Sequence, residues 1–200
     1  VMNGKVVVRN GGTLTIQEGT IIKAEDGQGT DATALVIAKG GTLTANGSAE
    51  SPIVFTDKAD QLSYSNTDRI SPNRVATDTG KWGGLIILGQ ATVGEDGGED
   101  DIEGIATGYE WTKYGGSLDT DSSGTINYIS IRHSGTALGN GDEIQGLTLG
   151  GVGSGTNVTN IEIVGSDDDG IEIFGGTVNV TNLTIWAQSD DAVDLDEGYA

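Results

Sequence analysis

Apolar residues alternate with polar residues in short runs along the whole chain, and no segment shows helical spacing. Two examples are 13–16 (TLTI) and 147–149 (LTL), and similar runs occupy 161–163, 171–173 and 193–195. A period of two in short β-branched runs is typical of half-buried β-strands. Glycine, asparagine and aspartate separate the runs, as is typical of turns. The pattern predicts an all-β fold.

The second half of the chain contains an internal repeat. Residues 157–163 (NVTNIEI) recur 22 residues later as 179–185 (NVTNLTI). The acidic segment 168–173 recurs at 190–195 with the same shift. Weaker repeats have shifts of 24, 32 and 29 residues, and they pair 146–149 with 170–173, 128–131 with 160–163, and 7–15 with 36–44.

A repeat of 22–24 residues that holds two or three short strands and no helix is one coil of a parallel β-solenoid. Stacked coils place equivalent residues about 4.8 Å apart, so inward Ile, Val and Leu side chains form apolar columns. Asn160 and Asn182 are then expected to form a hydrogen-bonded ladder at a turn. Parallel crossovers are right-handed as a rule. We predict one right-handed parallel β-helix over residues 1–200.

Two polar stretches, 57–80 and 94–124, interrupt the repeat. We interpret them as loop excursions from the wall of the β-helix, and loops of this length are usually functional or mobile. The apolar segment 81–89 between them is expected to hold a central, buried strand. The second excursion also carries three aromatic side chains that could stack on sugar rings, namely Tyr109, Trp111 and Tyr114.

The composition narrows the classes of partner. The chain has 10 Lys and Arg against 30 Asp and Glu, a net charge of −20, which argues against nucleic acid and anionic membranes as partners. It is compatible with divalent cations, high salt or an extracellular setting. The chain has no Cys, which excludes a disulfide framework and a thiolate metal site. Its apolar runs are too short to insert into a membrane.

The chain ends soon after a strand pattern, without a polar cap. A β-helix that stops there would expose an unpaired edge. We therefore expect the sequence to be a fragment of a longer chain. Further β-helix coils, or copies of the same chain, are the expected partners at that edge.

The repeat places acidic residues of one coil over acidic residues of the next. Like charges about 5 Å apart cost about 3 kcal/mol at an effective dielectric near 20, so solvation, shared protons or a cation must offset the repulsion. Ca²⁺ is the expected ion, because it prefers hard oxygen ligands and tolerates irregular geometry. The alternative is a solvated acidic surface. The candidate ligands are Asp168, Asp169, Glu172, Asp190, Asp191 and Asp194.

A second calcium candidate is the segment 119–124, DTDSSG, in which Asp119 and Asp121 are the candidate ligands. Its spacing matches the start of an EF-hand loop, but the twelfth position is Ser130, where such a loop carries Glu. The alternative interpretation is an Asp/Ser/Gly turn.

Arg132 and His133 follow one of the strand patterns. If Ile129 and Ile131 point inward, Arg132 points outward and His133 lies in the turn after it. An outward arginine beside a calcium-bound uronate could abstract a proton in a lyase. We favour a structural role for both residues.

Four segments carry a resemblance to a known family: 82–89, 146–153, 168–178 and 190–199. Together they resemble secreted or surface-anchored right-handed parallel β-helix proteins, pectate-lyase-like in fold, of Bacteroidota-type bacteria. The resemblance implies an extracellular or cell-surface location. It implies no reaction, because this fold hosts lyases, hydrolases, adhesins and inert fibres.

Two hypotheses of function follow. The first is a non-enzymatic scaffold or adhesin, able to form fibres and stabilised by Ca²⁺. The second is a carbohydrate-active enzyme or glycan-binding module. Asp169, Asp190 and Asp191 resemble the acids of polygalacturonase-type glycosidases, although Asp167 and Asp168 replace that family's Asn-Thr. Inverting hydrolysis would need two carboxyl groups about 6.5–9.5 Å apart.

Overall fold

The strands of the chain wind into a parallel β-helix. The structure is a computed structural model and describes residues 1–96, 98–139 and 142–200. Within these ranges no helix combines the length and the apolar character that a membrane crossing requires. In chain order the strands are β1 Lys5–Val8, β2 Thr13–Ile16, β3 Ile21–Ala24, β4 Ala34–Ile37, β5 Thr42–Asn46, β6 Ile53–Asp57, β7 Leu85–Leu88, β8 Asp100–Asp101, β9 Lys113–Tyr114, β10 Gly124–Arg132, β11 Thr136–Gly139, β12 Asp142–Ile144, β13 Leu147–Gly150, β14 Asn157–Val164, β15 Ile171–Phe174, β16 Asn179–Trp186 and β17 Val193–Asp196.

Two parallel sheets form the wall of the β-helix. The first sheet has the order β1-β4-β7-β13-β15-β17, and the second has β16-β14-β10-β5-β2, with β3 and β6 paired alongside. In the early coils β2 and β3, or β5 and β6, are separate strands. In the later coils one long strand replaces each pair and bends at Tyr128, Asn160 or Asn182, whose φ values are 48°, 54° and 54°.

The observed register confirms the repeats found in the sequence. Asn157 lies opposite Asn179 and Ile171 opposite Val193, a shift of 22 residues in both sheets. The shifts of 24, 32 and 29 residues are confirmed by the pairs Leu147–Ile171, Ile129–Ile161 and Thr13–Thr42. The larger shift of 32 accommodates the antiparallel hairpin of β11 and β12. The all-β parallel prediction is therefore confirmed.

Apolar columns fill the interior of the β-helix. Leu35, Leu85, Leu147 and Ile171 follow one another in register along the first sheet, and all four are buried. Burying a Leu or Ile side chain contributes about 1.5–3 kcal/mol, so stacked columns of this kind supply the main driving force for the fold.

The second excursion covers the outer face of the first sheet. Ile102, Ile105 and Tyr114 from the excursion pack with Ile86 and Leu88 of β7 in a separate buried cluster. The first sheet is thus buried on both faces in this region, which explains why β7 is apolar at every position and confirms the predicted central strand. The first excursion lies against the second sheet, where Arg132 Nη1 donates to the carbonyl oxygen of Arg69 (2.6 Å).

An asparagine ladder runs along one turn of the β-helix. Asn182 Nδ2 donates to Asn160 Oδ1 (3.0 Å), and Asn160 Nδ2 donates to Asn127 Oδ1 (2.9 Å). Asn127 Nδ2 in turn donates to Asn46 Oδ1 (2.7 Å). The predicted contact between Asn160 and Asn182 is confirmed, and the ladder extends over two more coils.

We expect Asn160→Ala to lower the free energy of unfolding by about 2 kcal/mol, because two ladder bonds are lost and alanine is strained in the left-handed region. Asn160→Gly should cost about 1 kcal/mol less, since glycine adopts this φ freely. Urea denaturation of the two variants measures the difference. Equal losses would show that the backbone strain at this position is negligible.

Candidate functional site

The turns before β15 and β17 bring the predicted acidic residues together. Glu172 lies opposite Asp194 in the register of the two strands. The backbone N–H of Asp191 donates to Asp169 Oδ1 (2.8 Å), which joins the two turns. The structure thus places acid over acid, as the repeat predicted.

Five of the six predicted ligands converge in two overlapping groups. One oxygen from each of Asp168, Asp169 and Asp190 lies within 4.8 Å of the others, and the same holds for Asp169, Glu172 and Asp194. Asp169 belongs to both groups. We call these five residues the acid cluster. Asp191 is not one of these grouped carboxylates, and its backbone N–H is what contacts Asp169.

Glu172 is the most constrained member of the acid cluster. It is 7% exposed, and its Oε2 atom is shielded from solvent without a hydrogen-bond partner. Burial, with the nearby charges of Glu103, Asp169 and Asp194, raises the pKa of Glu172 to about 9. An unpaired buried carboxylate oxygen is costly, so this atom requires either a proton or a cation.

The pKa of Asp169 is also raised. Its side chain belongs to a residue that is 8% exposed, and burial is the main cause of a pKa of about 6. The hydrogen bond from the Asp191 N–H opposes this shift, and the charges of Asp168 and Asp194 add to it. Burial also raises the pKa of Asp168, together with the charge of Asp190.

Two residues that the sequence analysis missed lie at one side of the acid cluster. Gln145 is buried, and its Nε2 donates to Glu103 Oε1 (3.0 Å) and weakly to Asp168 Oδ2 (3.5 Å). Its Oε1 accepts a hydrogen bond from the Thr148 hydroxyl (2.7 Å), so the amide is held in place. Burial raises the pKa of Glu103 to about 7. Neither residue belongs to the repeat, so no periodic signal identified them.

The burial of Glu172 follows from its position on the outer face of the first sheet. In register, this outward column runs through Val36, Ile86, Thr148, Glu172 and Asp194, and so changes from apolar to acidic along the axis. The second excursion covers the apolar part of the column. Its edge brings Glu103 near Glu172, where the carboxylates face a low-dielectric neighbourhood.

A second acidic group lies at the other end of the same strands. Oxygens of Glu95, Asp100 and Glu197 lie within 4.8 Å of one another. Glu197 Oε1 accepts a hydrogen bond from the Tyr114 hydroxyl (2.5 Å), and burial raises the pKa of Glu197. This group is less enclosed than the acid cluster, because Glu95 and Asp100 are exposed.

The prediction that Tyr114 offers a sugar-stacking face is wrong. Its ring is 2% exposed and packs against Phe174, with ring centroids 5.9 Å apart. Tyr109 and Trp111 stack on each other with centroids 5.6 Å apart, and Tyr109 is 53% exposed. These two remain the aromatic candidates, and their stacking on a sugar stays a prediction.

The calcium interpretation of the 119–124 loop requires correction. Asp119 Oδ1 accepts a hydrogen bond from the Thr92 N–H (3.0 Å). Asp121 accepts from both the backbone N–H (3.0 Å) and the side-chain amide (3.1 Å) of Gln90. Neither carboxylate belongs to a convergent acidic group within the described ranges. The contacts fit the alternative of an Asp-containing turn that fastens the 90–92 backbone.

Comparison with known proteins gives one match. The family model described as a pectate-lyase like beta helix domain matches residues 1–200. Searches of curated proteins and of solved structures give no significant match. The family match agrees with the coil architecture and with the resemblance found in the sequence, and it leaves the chemistry of the acid cluster open.

We expect the free energy of unfolding in a chelator to fall as the pH rises from about 5 to about 9. The pKa of Glu172 is higher in the folded state than its ordinary 4.5, so the folded protein binds more protons in this window and is destabilised when they leave. Glu172→Gln should flatten the slope. Urea denaturation across the pH range measures it.

Glu50→Gln is the matched control for this prediction. Glu50 is exposed, so its removal should leave the slope close to that of the unmodified protein. Because the net charge of −20 also destabilises the folded state at high pH, the comparison between variants is decisive. Identical slopes for Glu172→Gln and Glu50→Gln would contradict the burial of a titrating Glu172.

Proposed function

Since the chain belongs to the family of pectate-lyase-like beta helix domains, we propose that it is an extracellular or cell-surface structural protein that binds Ca²⁺ at the acid cluster. The observation that carries the proposal is the buried, unpaired Oε2 of Glu172 within a group of converging carboxylates. A divalent cation would satisfy this atom and offset the repulsion among its neighbours.

The donor set favours calcium over other cations. The acid cluster offers carboxylate oxygens, which are hard ligands, and the chain has no Cys. Ca²⁺ accepts 6–8 oxygen ligands in flexible geometry, whereas Mg²⁺ demands a near-octahedral set. Asp169 belongs to both overlapping groups, so its carboxylate could bridge them. Repulsion of about 3 kcal/mol per close pair gives the cation a large electrostatic gain.

The position of the acid cluster supports a structural role for the ion. Its carboxylates come from two successive coils, the turn and strand of β15 and those of β17. A cation bound there would tie these coils together in the folded state only, which stabilises the β-helix. Extracellular calcium modules work with dissociation constants of about 10⁻⁴–10⁻³ M, so this stabilisation would be present outside the cell.

The regular stacking supports a scaffold or adhesin. The apolar columns and the asparagine ladder make each coil depend on its neighbours, as in other solenoids. Domains of this family are often extracellular. We therefore assign a bacterial cell surface as the proposed location. Further coils or copies of the chain are the proposed partners in fibre formation, and extracellular glycan is the proposed ligand of an adhesive role.

Thermal unfolding in Ca²⁺ and in EDTA tests the calcium proposal. At about 100 times the dissociation constant, binding adds about 2.7 kcal/mol, or roughly 5–10 °C in Tm for a chain of this size. Glu172→Gln and Asp169→Asn should each lose most of this shift. Asp119→Asn is the control, because its carboxylate caps a turn and should leave the calcium shift unchanged.

Two results would overturn the calcium proposal. One is an equal Tm in Ca²⁺ and EDTA. The other is an equal rise when NaCl of the same ionic strength replaces CaCl₂, which would instead favour a solvated acidic surface stabilised by general screening.

A second candidate function is a polysaccharide hydrolase or lyase. The observation that favours it is the proximity of carboxyl groups whose pKa values are raised to about 9 for Glu172, about 7 for Glu103 and about 6 for Asp169. Such neighbours can act as acid and base at neutral pH. However, Asp169 and Asp190 have oxygens within 4.8 Å, closer than the 6.5–9.5 Å of inverting glycosidases.

Incubation with polygalacturonate and with neutral polysaccharides, with and without Ca²⁺, tests the enzymatic candidate. The scaffold proposal expects no release of reducing ends or of unsaturated products. Release that is lost in Asp169→Asn, while Asp119→Asn retains it, would establish the enzymatic candidate instead.

A further inference from the structure

A cavity of about 250 Å³ lies between the first excursion and the outer face of the second sheet. It is on a different wall from the acid cluster. Its rim includes the ends of β10, β14 and β16, at Arg132, Val164 and Trp186. Three of the four arginines in the chain line it together with the single histidine, namely Arg69, Arg74, Arg132 and His133. We call it the arginine pocket.

This concentration of arginine is unexpected in so acidic a chain. The protein carries a net charge of −20 and has ten basic side chains in 200 residues. Guanidinium groups bind oxyanions through two parallel N–H···O bonds, which an ammonium group does not offer. Three arginines around one small cavity therefore form a local exception to the charge of the whole molecule.

Two of the arginines are held rigidly. Arg74 forms a two-pronged ion pair with the buried carboxylate of Asp57, through Nη2 to Oδ1 (2.6 Å) and Nε to Oδ2 (2.9 Å). Arg132 donates from Nε to the hydroxyl of Ser130 (2.7 Å) and from Nη2 to Glu162 Oε2 (3.1 Å). These contacts preorganise the pocket, because neither guanidinium must be ordered when a ligand enters.

Arg69 is the arginine with unused hydrogen-bonding capacity. Its Nη1 atom is shielded from solvent and has no hydrogen-bond partner among the described residues. Its backbone has a φ of 58°, which is unusual for a residue other than glycine, and its carbonyl oxygen is fastened by Arg132 Nη1. A strained residue with an unpaired guanidinium donor is a common feature of a binding site.

The rim of the pocket is apolar. Ile70 and Val75 are exposed, and Trp186 is 58% exposed. The indole therefore offers a flat face for a ring beside the guanidinium groups. Glu162 and Asp68 also line the pocket and disfavour a doubly charged anion. We propose that the arginine pocket binds a small monoanionic carboxylate whose flat or apolar part rests on Trp186 and whose carboxylate pairs with Arg69.

Isothermal titration and NMR titration with benzoate and benzamide test the proposal. The two probes have nearly the same shape, but only benzoate carries the charge. We expect benzoate to bind in the millimolar range and benzamide to bind at least about tenfold more weakly, since a paired carboxylate contributes more than a neutral amide. Indole resonances of Trp186 should shift with benzoate.

Variants locate the binding. Arg69→Met keeps an apolar stem and should weaken benzoate binding about tenfold or more, and Arg69→Lys should weaken it too because the planar fork is lost. Trp186→Ala lies in an exposed position of an edge strand and tests the rim without touching the core. Arg9→Met is the matched control, because Arg9 is exposed and is the one arginine outside the pocket.

Several outcomes would overturn the inference: no benzoate binding at tens of millimolar, equal binding of benzamide, or unchanged binding by both Arg69→Met and Trp186→Ala. Tighter binding of phenyl phosphate or benzenesulfonate than of benzoate would overturn the carboxylate assignment. Loss of benzoate binding in Arg9→Met to the same degree as in Arg69→Met would show a general charge effect instead of a pocket.

Discussion

The in-register stacking of parallel coils is the constraint on which the rest of the structure depends. It sets equivalent residues about 4.8 Å apart, so every choice of side chain is repeated against itself. Apolar residues gain from this repetition, as in the buried column through Leu147 and Ile171. Asparagines gain as well, because an amide both donates and accepts. Carboxylates lose, and the protein nevertheless stacks Glu172 on Asp194. That cost is the reason for assigning a ligand to the acid cluster.

The two excursions turn a uniform wall into surfaces with chemistry. The second excursion buries the outer face of the first sheet and brings Glu103 toward Glu172, which removes water from carboxylates that would otherwise be solvated. The first excursion places Arg69 and Arg74 against the end of β10. Each site is therefore built from one repetitive element and one irregular element. The repetitive element supplies rigid positions, and the irregular element supplies burial and selectivity.

The two proposed sites differ in charge and lie on different walls. The acid cluster is suited to a divalent cation, and the arginine pocket is suited to a carboxylate. Screening at physiological salt acts over about 8 Å, so the excess negative charge of the molecule does not prevent local anion binding. A surface protein with both sites could respond to calcium through its stability and to an acidic ligand through a separate contact, because the residues of the two sites do not overlap.

The sequence by itself determined the features that repeat. The alternation of apolar and polar residues predicted parallel strands, and the 22-residue shift placed Asp169 beside Asp191 and Asn160 beside Asn182. Only the tertiary structure decided the contributions of the excursions, which have no period. It buried Tyr114, engaged Asp119 and Asp121 in a turn, and gathered Glu103 and Gln145 near Glu172 and three arginines into one pocket. The physical reason is that periodic stacking makes contacts predictable from spacing alone, whereas the contacts of an irregular loop depend on where packing against the wall places it.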